Sequence, residues 1–201
     1  LMRSGEHDVA RAYVLYREKR TRERAERGES DSHHDIAINI IDNGISQPLD
    51  LNKLKALIKS ACTGLENVTQ PEQMLAETLK NLYDGVPAEE VRKSAELSAR
   101  QLIEKDPAYS FVAARLLLNR LRREVLGEEV SHEEMAERYA EAFPAAIKRG
   151  VEAELLDEKL LQFDLTRLGA ALKHDRDYQF GYLGLQTLFD RYFLHIDEQR
   201  I

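Results

Sequence analysis

The chain has 201 residues, of which 43% are apolar and 32% charged, with no Trp, 10 Gly, 5 Pro and a formal net charge of −7. That composition suits a helical globular protein better than a β-rich or disordered one, and the acidic balance disfavours a general polyanion binder while leaving room for local basic patches. A single cysteine, Cys62, excludes an internal disulfide framework, and no run of about twenty apolar residues is present to span a membrane, so the cytosol is the expected compartment.

Residues 8–27 predict an amphipathic helix with Val9, Ala12, Tyr13 and Tyr16 on one face, ending in REKRTRERAER before Gly28. The pairs Glu18–Arg22 and Glu23–Arg27 have favourable i,i+4 spacing, which makes the basic run a solvated helix end rather than a nucleic-acid stripe. ESDSHHD, residues 29–35, has linker composition, and its paired histidines lack the spacing of a metal site. In DIAINIIDNGISQPLD, Ile36, Ile38 and Ile40 alternate with smaller or polar residues before Asn43-Gly44, the one convincing strand-turn signal in the chain.

From Asp50 the period becomes helical. Leu51, Leu54, Leu57, Ile58, Ala61, Cys62 and Leu65 share a face, with Gly64 as the stop, which casts Cys62 as a small core residue. Thr69-Gln-Pro-Glu72 has the form of a capping box with Pro in the first turn, opening a helix through Met74, Leu75, Leu79 and Leu82 that breaks at Asp84-Gly85. Pro87 opens a further helix and Asp106-Pro107 another, through Val112, Leu116, Leu117 and Leu121. Ser131-His-Glu-Glu134 is a second capping box, leading a helix predicted to stop near Phe143-Pro144; a Leu-rich segment follows from Glu154 to Leu172.

HDRDYQFGYLGLQTLFDRYFLH, residues 174–195, gathers Tyr178, Tyr182, Leu185, Leu188, Phe189 and Tyr192 at helical spacings and reads as one docking helix. Gly181 and Gly184 mark places for close backbone approach, and Asp190 with Arg191 suggests an ion pair before Tyr192 and Phe193 pack. His174 and Asp177 invite an acid-base reading, but capping and ion pairing explain them better, because carboxylates favour a helix N-terminus and paired carboxylates alone do not define catalysis.

VARAYVLYREKR (9–20) and VAARLLLNRLRR (112–123) align without a gap, placing Arg17 with Arg120 and Arg20 with Arg123; this predicts two tandem modules of about a hundred residues, the first present only as its last helix. The absence of Met at position 1, and of helix-ending chemistry in HIDEQRI, sets the expectation that both ends are cut from a longer polypeptide.

The segment Leu49 to Gly127 resembles the ATP-cone, the small regulatory module at the N-terminus of ribonucleotide reductase large subunits, through LDLNKL after a strand-turn, then ACTGL, NLYDG and VAARLLLNRLRR. AIKRG (146–150), FDLTRLGAAL (163–172) and the run from His174 resemble the first helices of the class I reductase catalytic chain. The resemblance implies a mainly α fold: a cone-like helical bundle with a small β strand-turn, followed by catalytic-domain helices. It implies residues 1–27 as the last helix of a first cone, 28–48 as linker and strand-turn, 49–127 as a second, degenerate cone, and 128–201 as the N-terminal helical part of the catalytic domain.

The resemblance also implies that the complete protein reduces ribonucleoside diphosphates under ATP/dATP control, with a metal-bearing small subunit as radical-generating partner and self-association of the large subunit. That chemistry needs a radical cysteine and a redox cysteine pair, and Cys62 sits on an apolar face without an activating neighbour, so no catalytic residue is carried over and this stretch alone is expected to be inactive. Neither a metal nor a resident cofactor, a membrane nor a nucleic acid is expected. Binding cones resemble V-x-K-R-x-G; aligned on Gly44, the two basic positions are Ile41 and Asp42, the acidic residue three beyond is Gln47, and the Thr after the YDG element is Ala88. Lys53 and Arg123 remain, with Arg20 as the counterpart in the first module. Losing two hydrogen bonds to charged groups, at about 1.5 to 3 kcal/mol each, removes about 3 to 6 kcal/mol, or roughly 10² to 10⁴ in affinity. A different class of reading is a helical adaptor that binds nucleic acid through Arg17 to Arg27; an independent small enzyme has no nucleophile-base constellation or phosphate-cradling glycine loop behind it.

Overall fold

The computed structural model describes residues 38–201 except positions 43, 132 and 198. The predicted helix over 8–27, its counterpart role in the tandem repeat, the linker at 29–35 and Arg20 all lie outside the described residues.

The described chain is mainly helical. β1 (Asn39–Asp42) and β2 (Ile45–Pro48) form an antiparallel hairpin in which Ile40 faces Gln47 and Asp42 faces Ile45, and Gly44 supplies the positive φ of +80° that the turn requires. β3 (Val86–Pro87) joins the far edge of β1 in parallel, with Ile40 opposite Val86, giving the order β2-β1-β3. This third strand was not read from the sequence. It is held by Asp84, whose Oδ1 accepts from the backbone N–H and the Nδ2 of Asn39 at 2.8 and 2.9 Å, and by the Gly85 N–H donating to the Asn39 carbonyl at 2.8 Å. Pro87 lacks a donor, which an edge strand tolerates.

Four helices share a buried core with this small sheet. α1 (Leu51–Ala61) is capped by Asp50, which accepts from the N–H groups of Asn52 and Lys53, and it buries Leu54, Ile58 and Ala61. α2 (Pro71–Lys80) follows, then α3 (Ala88–Gln101) with a 3₁₀ turn at Leu102–Glu104, then α4 (Tyr109–Leu126), which ends at left-handed Gly127. Ile58, Met74, Ala95, Val112 and Leu117 are fully inaccessible at the centre. Cys62 is 1% exposed, as its apolar face predicts, and burial pushes its thiol pKa up.

The capping box expected at Thr69–Glu72 does not form. Buried Thr69 turns its hydroxyl back to the Leu65 carbonyl at 2.9 Å, Gln70 takes the cap position without a side-chain bond, and the Gln70 N–H donates to the Tyr109 hydroxyl at 2.9 Å. Pro71 at the first helical position has no N–H to satisfy, which lowers the need for a cap. The reciprocal bonds of a box at Ser131–Glu134 do form, just ahead of a helix that begins at Met135: the Ser131 N–H donates to the Glu134 carboxylate and the Glu134 N–H to the Ser131 hydroxyl, each at 3.4 Å.

α5 (Met135–Glu152) runs through Pro144, contrary to the expected stop at Phe143-Pro144. A proline inside a helix removes one donor, here the one that would serve the Ala140 carbonyl. α6 (Leu165–Ala170), after a 3₁₀ segment at Glu158–Gln162, crosses at that place: a Cβ on Gly169 would stand 2.8 Å from the Ala140 oxygen.

The run from His174 is not one helix. A 3₁₀ segment (His174–Gln179) is separated from α7 (Tyr182–Arg191) by extended backbone at Phe180 and Gly181, and the Tyr182 N–H donates to the Ser110 hydroxyl at 3.0 Å. Tyr182 and Leu185 are buried, but Tyr192 is 68% exposed and Phe193 packs in its stead. Gly181 is approached by Ser110 at 3.2 Å, whereas Gly184 faces open space. Asp190 accepts from Gln186 rather than from Arg191. A short hairpin, β4 (His195–Ile196) with β5 (Gln199–Arg200), closes the described chain and went unread in the sequence.

Candidate functional site

A cleft of about 1130 Å³ opens between the hairpin, α1, the first turns of α3 and the last turns of α4. Each element delivers its residues for a local reason. The turn at Gly44 sets β1 and β2 face to face, so Asp42 and Gln47 both reach the cleft. The Asp50 cap starts α1 so that Lys53 falls within its first turn, and Pro87 starts α3 so that Ala88 and, one turn on, Arg92 lie at the same wall. Arg123 comes from the last turn of α4, and residues 127–131 leave Gly127 to form a further side.

The structure therefore brings Lys53 and Arg123 together with Asp42, Gln47 and Ala88, the positions singled out in the sequence. Arg20 lies outside the described residues, as does the basic run from Arg17 to Arg27 on which the adaptor reading depends. Further charged residues line the cleft without a site reading from the sequence, Arg92, Arg115, Arg122, Glu128 and Glu129, and of these Arg92 and Glu129 meet across it. They ion-pair directly, and a second Arg92 nitrogen donates to the Ala88 carbonyl at 3.3 Å. Arg92 is signalled in sequence only by its i,i+4 spacing from Ala88; Glu129 follows the helix stop and carries no local signal.

The cleft's arginines are met by the chain's own acceptors. Arg123 lies 3.9 Å from Asp42. Arg115 donates to the carbonyls of Ala61 and Thr63 at 2.9 and 2.7 Å, serving the end of α1. The hydrogen bond from Arg92 holds the Glu129 carboxyl below the usual carboxylate range against the opposing effect of burial, and the charges of Arg92, Arg123 and Lys53 act in the same direction as the bond. Arg92 and Arg123 thus each face a carboxylate of the chain itself, which opposes the approach of a polyphosphate.

Two polar clusters tie α3 and α4 to the helices that follow. In one, Arg122 of α4 donates to the Tyr139 hydroxyl and to Asp177 at 2.9 Å each, while Tyr139 donates to Asp177 at 2.6 Å. Asp177 thus serves as an ion-pair acceptor, and His174 stacks edge-on to Tyr139 with ring centroids 6.4 Å apart. In the other, buried Glu96 accepts from Tyr182 at 3.0 Å and from Arg120, which also holds Glu89 at 2.9 Å. Burial is the chief cause that raises the pKa of both Tyr139 and Tyr182 to about 12. Among the described residues, no group of three or more His, Cys, Asp or Glu is placed to hold a metal ion, and no helix is long and apolar enough to cross a membrane.

Comparison with known proteins matches residues 40–124 to the ATP cone domain, a stretch that takes in β1 to α4. The whole chain is 34% identical to the ribonucleoside-diphosphate reductase subunit alpha of Chlamydia trachomatis, covering 20% of that protein. The subunit alpha of Helicobacter pylori is 36% identical over 76% of this chain and 18% of its own, and the large subunit of Danio rerio 28% identical over 77% and 19%. The chain spans about a fifth of the length of the curated relatives it matches. Residues 40–124 thus match the ATP cone domain, within a sequence that is similar from end to end to ribonucleoside-diphosphate reductase alpha subunits.

Proposed function

We propose that this chain is the N-terminal regulatory and scaffold portion of a ribonucleoside-diphosphate reductase large subunit, and that its cone binds ATP or dATP weakly or not at all. The observation that carries the weak-binding part of this reading is the pairing of two of the cleft's arginines with carboxylates of the chain itself, Asp42 facing Arg123 and Glu129 on Arg92. Lys53 and Arg123 are the nucleotide-facing cations that remain, and Asp42 adds repulsion toward phosphate. Residues 1–27 end a first, binding-competent cone, 28–48 lead through the hairpin that completes the second cone's sheet, 49–127 supply its helices, and 128–201 begin the catalytic domain. The second cone acts as a structural spacer, joined to the following helices through the Asp177 and Glu96 clusters.

On this reading the complete protein reduces ribonucleoside diphosphates in the cytoplasm, under ATP and dATP control, with the radical-generating small subunit and further copies of the large subunit as partners. Its redox cysteines belong to the portion of the protein not represented here. Calorimetric titration of dATP into the chain, carried to millimolar nucleotide, is expected to give no saturation in the micromolar range. Stoichiometric micromolar binding sinks the reading.

A further inference from the structure

α4 stops at Gly127, whose φ of +78° turns the backbone out of the helix, and the next residues run along the cleft before α5 begins. Glu128 and Glu129 are adjacent on this strap and engage different elements. Glu128 pairs with Arg138 of α5, and Glu129 pairs with Arg92 of α3. Arg92, which lines the cleft, is held at one terminal nitrogen by the Ala88 carbonyl and reaches Glu129 with the other, and its side chain is 17% exposed. Glu129 is 55% exposed and lies outside any helix or strand, so the backbone around it is able to withdraw without breaking a ladder of hydrogen bonds.

We propose that Glu129 is an intramolecular occupant of the cleft, its carboxylate holding on Arg92 the place that a phosphate of a nucleoside polyphosphate would take. This rests on the reading of the cleft as a weakened cone site and names the cause of the weakness. A carboxylate and a phosphate oxygen make the same charge-assisted bond to a guanidinium. A group tethered by two residues to the end of α4 competes at an effective concentration of about millimolar, which a free anion must exceed before it binds. The contact with Asp42 is looser, at 3.9 Å beyond hydrogen-bond distance, so it repels phosphate without occupying a donor. Because Glu128 and Glu129 share one strap, displacing Glu129 also pulls on the Arg138 contact at the start of α5.

The test is titration of inorganic tripolyphosphate and of dATP into the full chain, its Glu129→Gln and Glu129→Ala variants, and Glu129→Ala combined with Arg92→Gln. The exposed Glu133→Gln serves as a charge-matched control, and far-UV circular dichroism checks each fold. The expected result is a gain in tripolyphosphate affinity of about ten- to a hundredfold for both Glu129 variants, no gain for Glu133→Gln, and loss of the gain when Arg92 is also replaced. Affinities equal to the parent chain in both Glu129 variants, or a gain that survives without Arg92, overturn the proposal while leaving the weak-cone reading intact. Tight dATP binding by the parent chain fails that reading itself.

Discussion

Tyr139 donates its phenolic hydrogen to Asp177 across 2.6 Å, and Arg122 donates to both, so α4, α5 and the turn before α7 share one carboxylate. Replacing Tyr139 with Phe removes a hydrogen bond to a charged acceptor and leaves a partly buried carboxylate short of a donor, a loss of about 1.5 to 3 kcal/mol. Because the three groups act together, the double variant Y139F/D177N is expected to lose less than the two single losses added. Urea unfolding of the four chains measures this; strictly additive losses count against a shared cluster.

Tyr182 is the better buried of the two phenols, with its hydroxyl on Glu96 and its ring beneath Arg100 at 5.7 Å. Tyr182→Phe leaves Glu96 with Arg120 alone and is expected to cost about 1 to 3 kcal/mol. Tyr182→Ala also empties the space of the ring and is expected to cost about 3 to 5 kcal/mol. A thermal midpoint unchanged by the alanine variant contradicts the packing role assigned to α7.

The same phenols make the chain sensitive to alkali. Both are raised to about 12 in the folded state, chiefly by burial, against about 10 for an unfolded tyrosine. A raised folded value means that the stability gained by keeping the phenol neutral is present in full below pH 10 and is lost as pH climbs from 10 toward 12. Titration of tyrosinate absorbance at 295 nm is expected to show these phenols ionising late, together with loss of helix by circular dichroism. Ionisation of every tyrosine near pH 10 with the helix intact refutes it.

Two glycines predict opposite signs. A Cβ on Gly169 would lie 2.8 Å from the Ala140 oxygen and 3.2 Å from its Cα, both backbone atoms, so Gly169→Ala is expected to cost about 1 to 3 kcal/mol. Gly184 sits inside α7 with nothing within 4 Å, so Gly184→Ala is expected to gain about 0.5 to 1 kcal/mol by stiffening the unfolded chain. Stability changes of the same sign in both variants would be inconsistent with the described crossing of α6 on α5.

Much of this architecture is legible in the residues because its signals are local. Asn43-Gly44 between alternating residues announces the hairpin, and Asp50, Gly64 and Gly127 punctuate helices whose apolar period is plain. The errors arise where a tertiary partner decides. Thr69 turns its hydroxyl to the Leu65 carbonyl instead of capping, and the Tyr109 hydroxyl, far along the chain, takes the Gln70 N–H. Pro144 fails to stop α5 because a helix survives the loss of one donor when residues on both sides keep their bonds, and Ala140 then meets Gly169. Gly181 breaks the aromatic run because Ser110 waits for the Tyr182 N–H. In the cleft, Lys53 and Arg123 are candidates through the resemblance of the sequence to a cone, but Arg92 and Glu129 meet only when α3 and the end of α4 are side by side.

The parallel pairing of Ile40 with Val86 has a further implication for how the polypeptide comes into being. A two-stranded hairpin is marginal by itself, and the missing neighbour of β1 is translated only after two intervening helices have left the ribosome. Until Val86 and Pro87 emerge, β1 is an unguarded edge in search of a partner, and a nascent chain stalled before that point offers itself to any extended strand nearby.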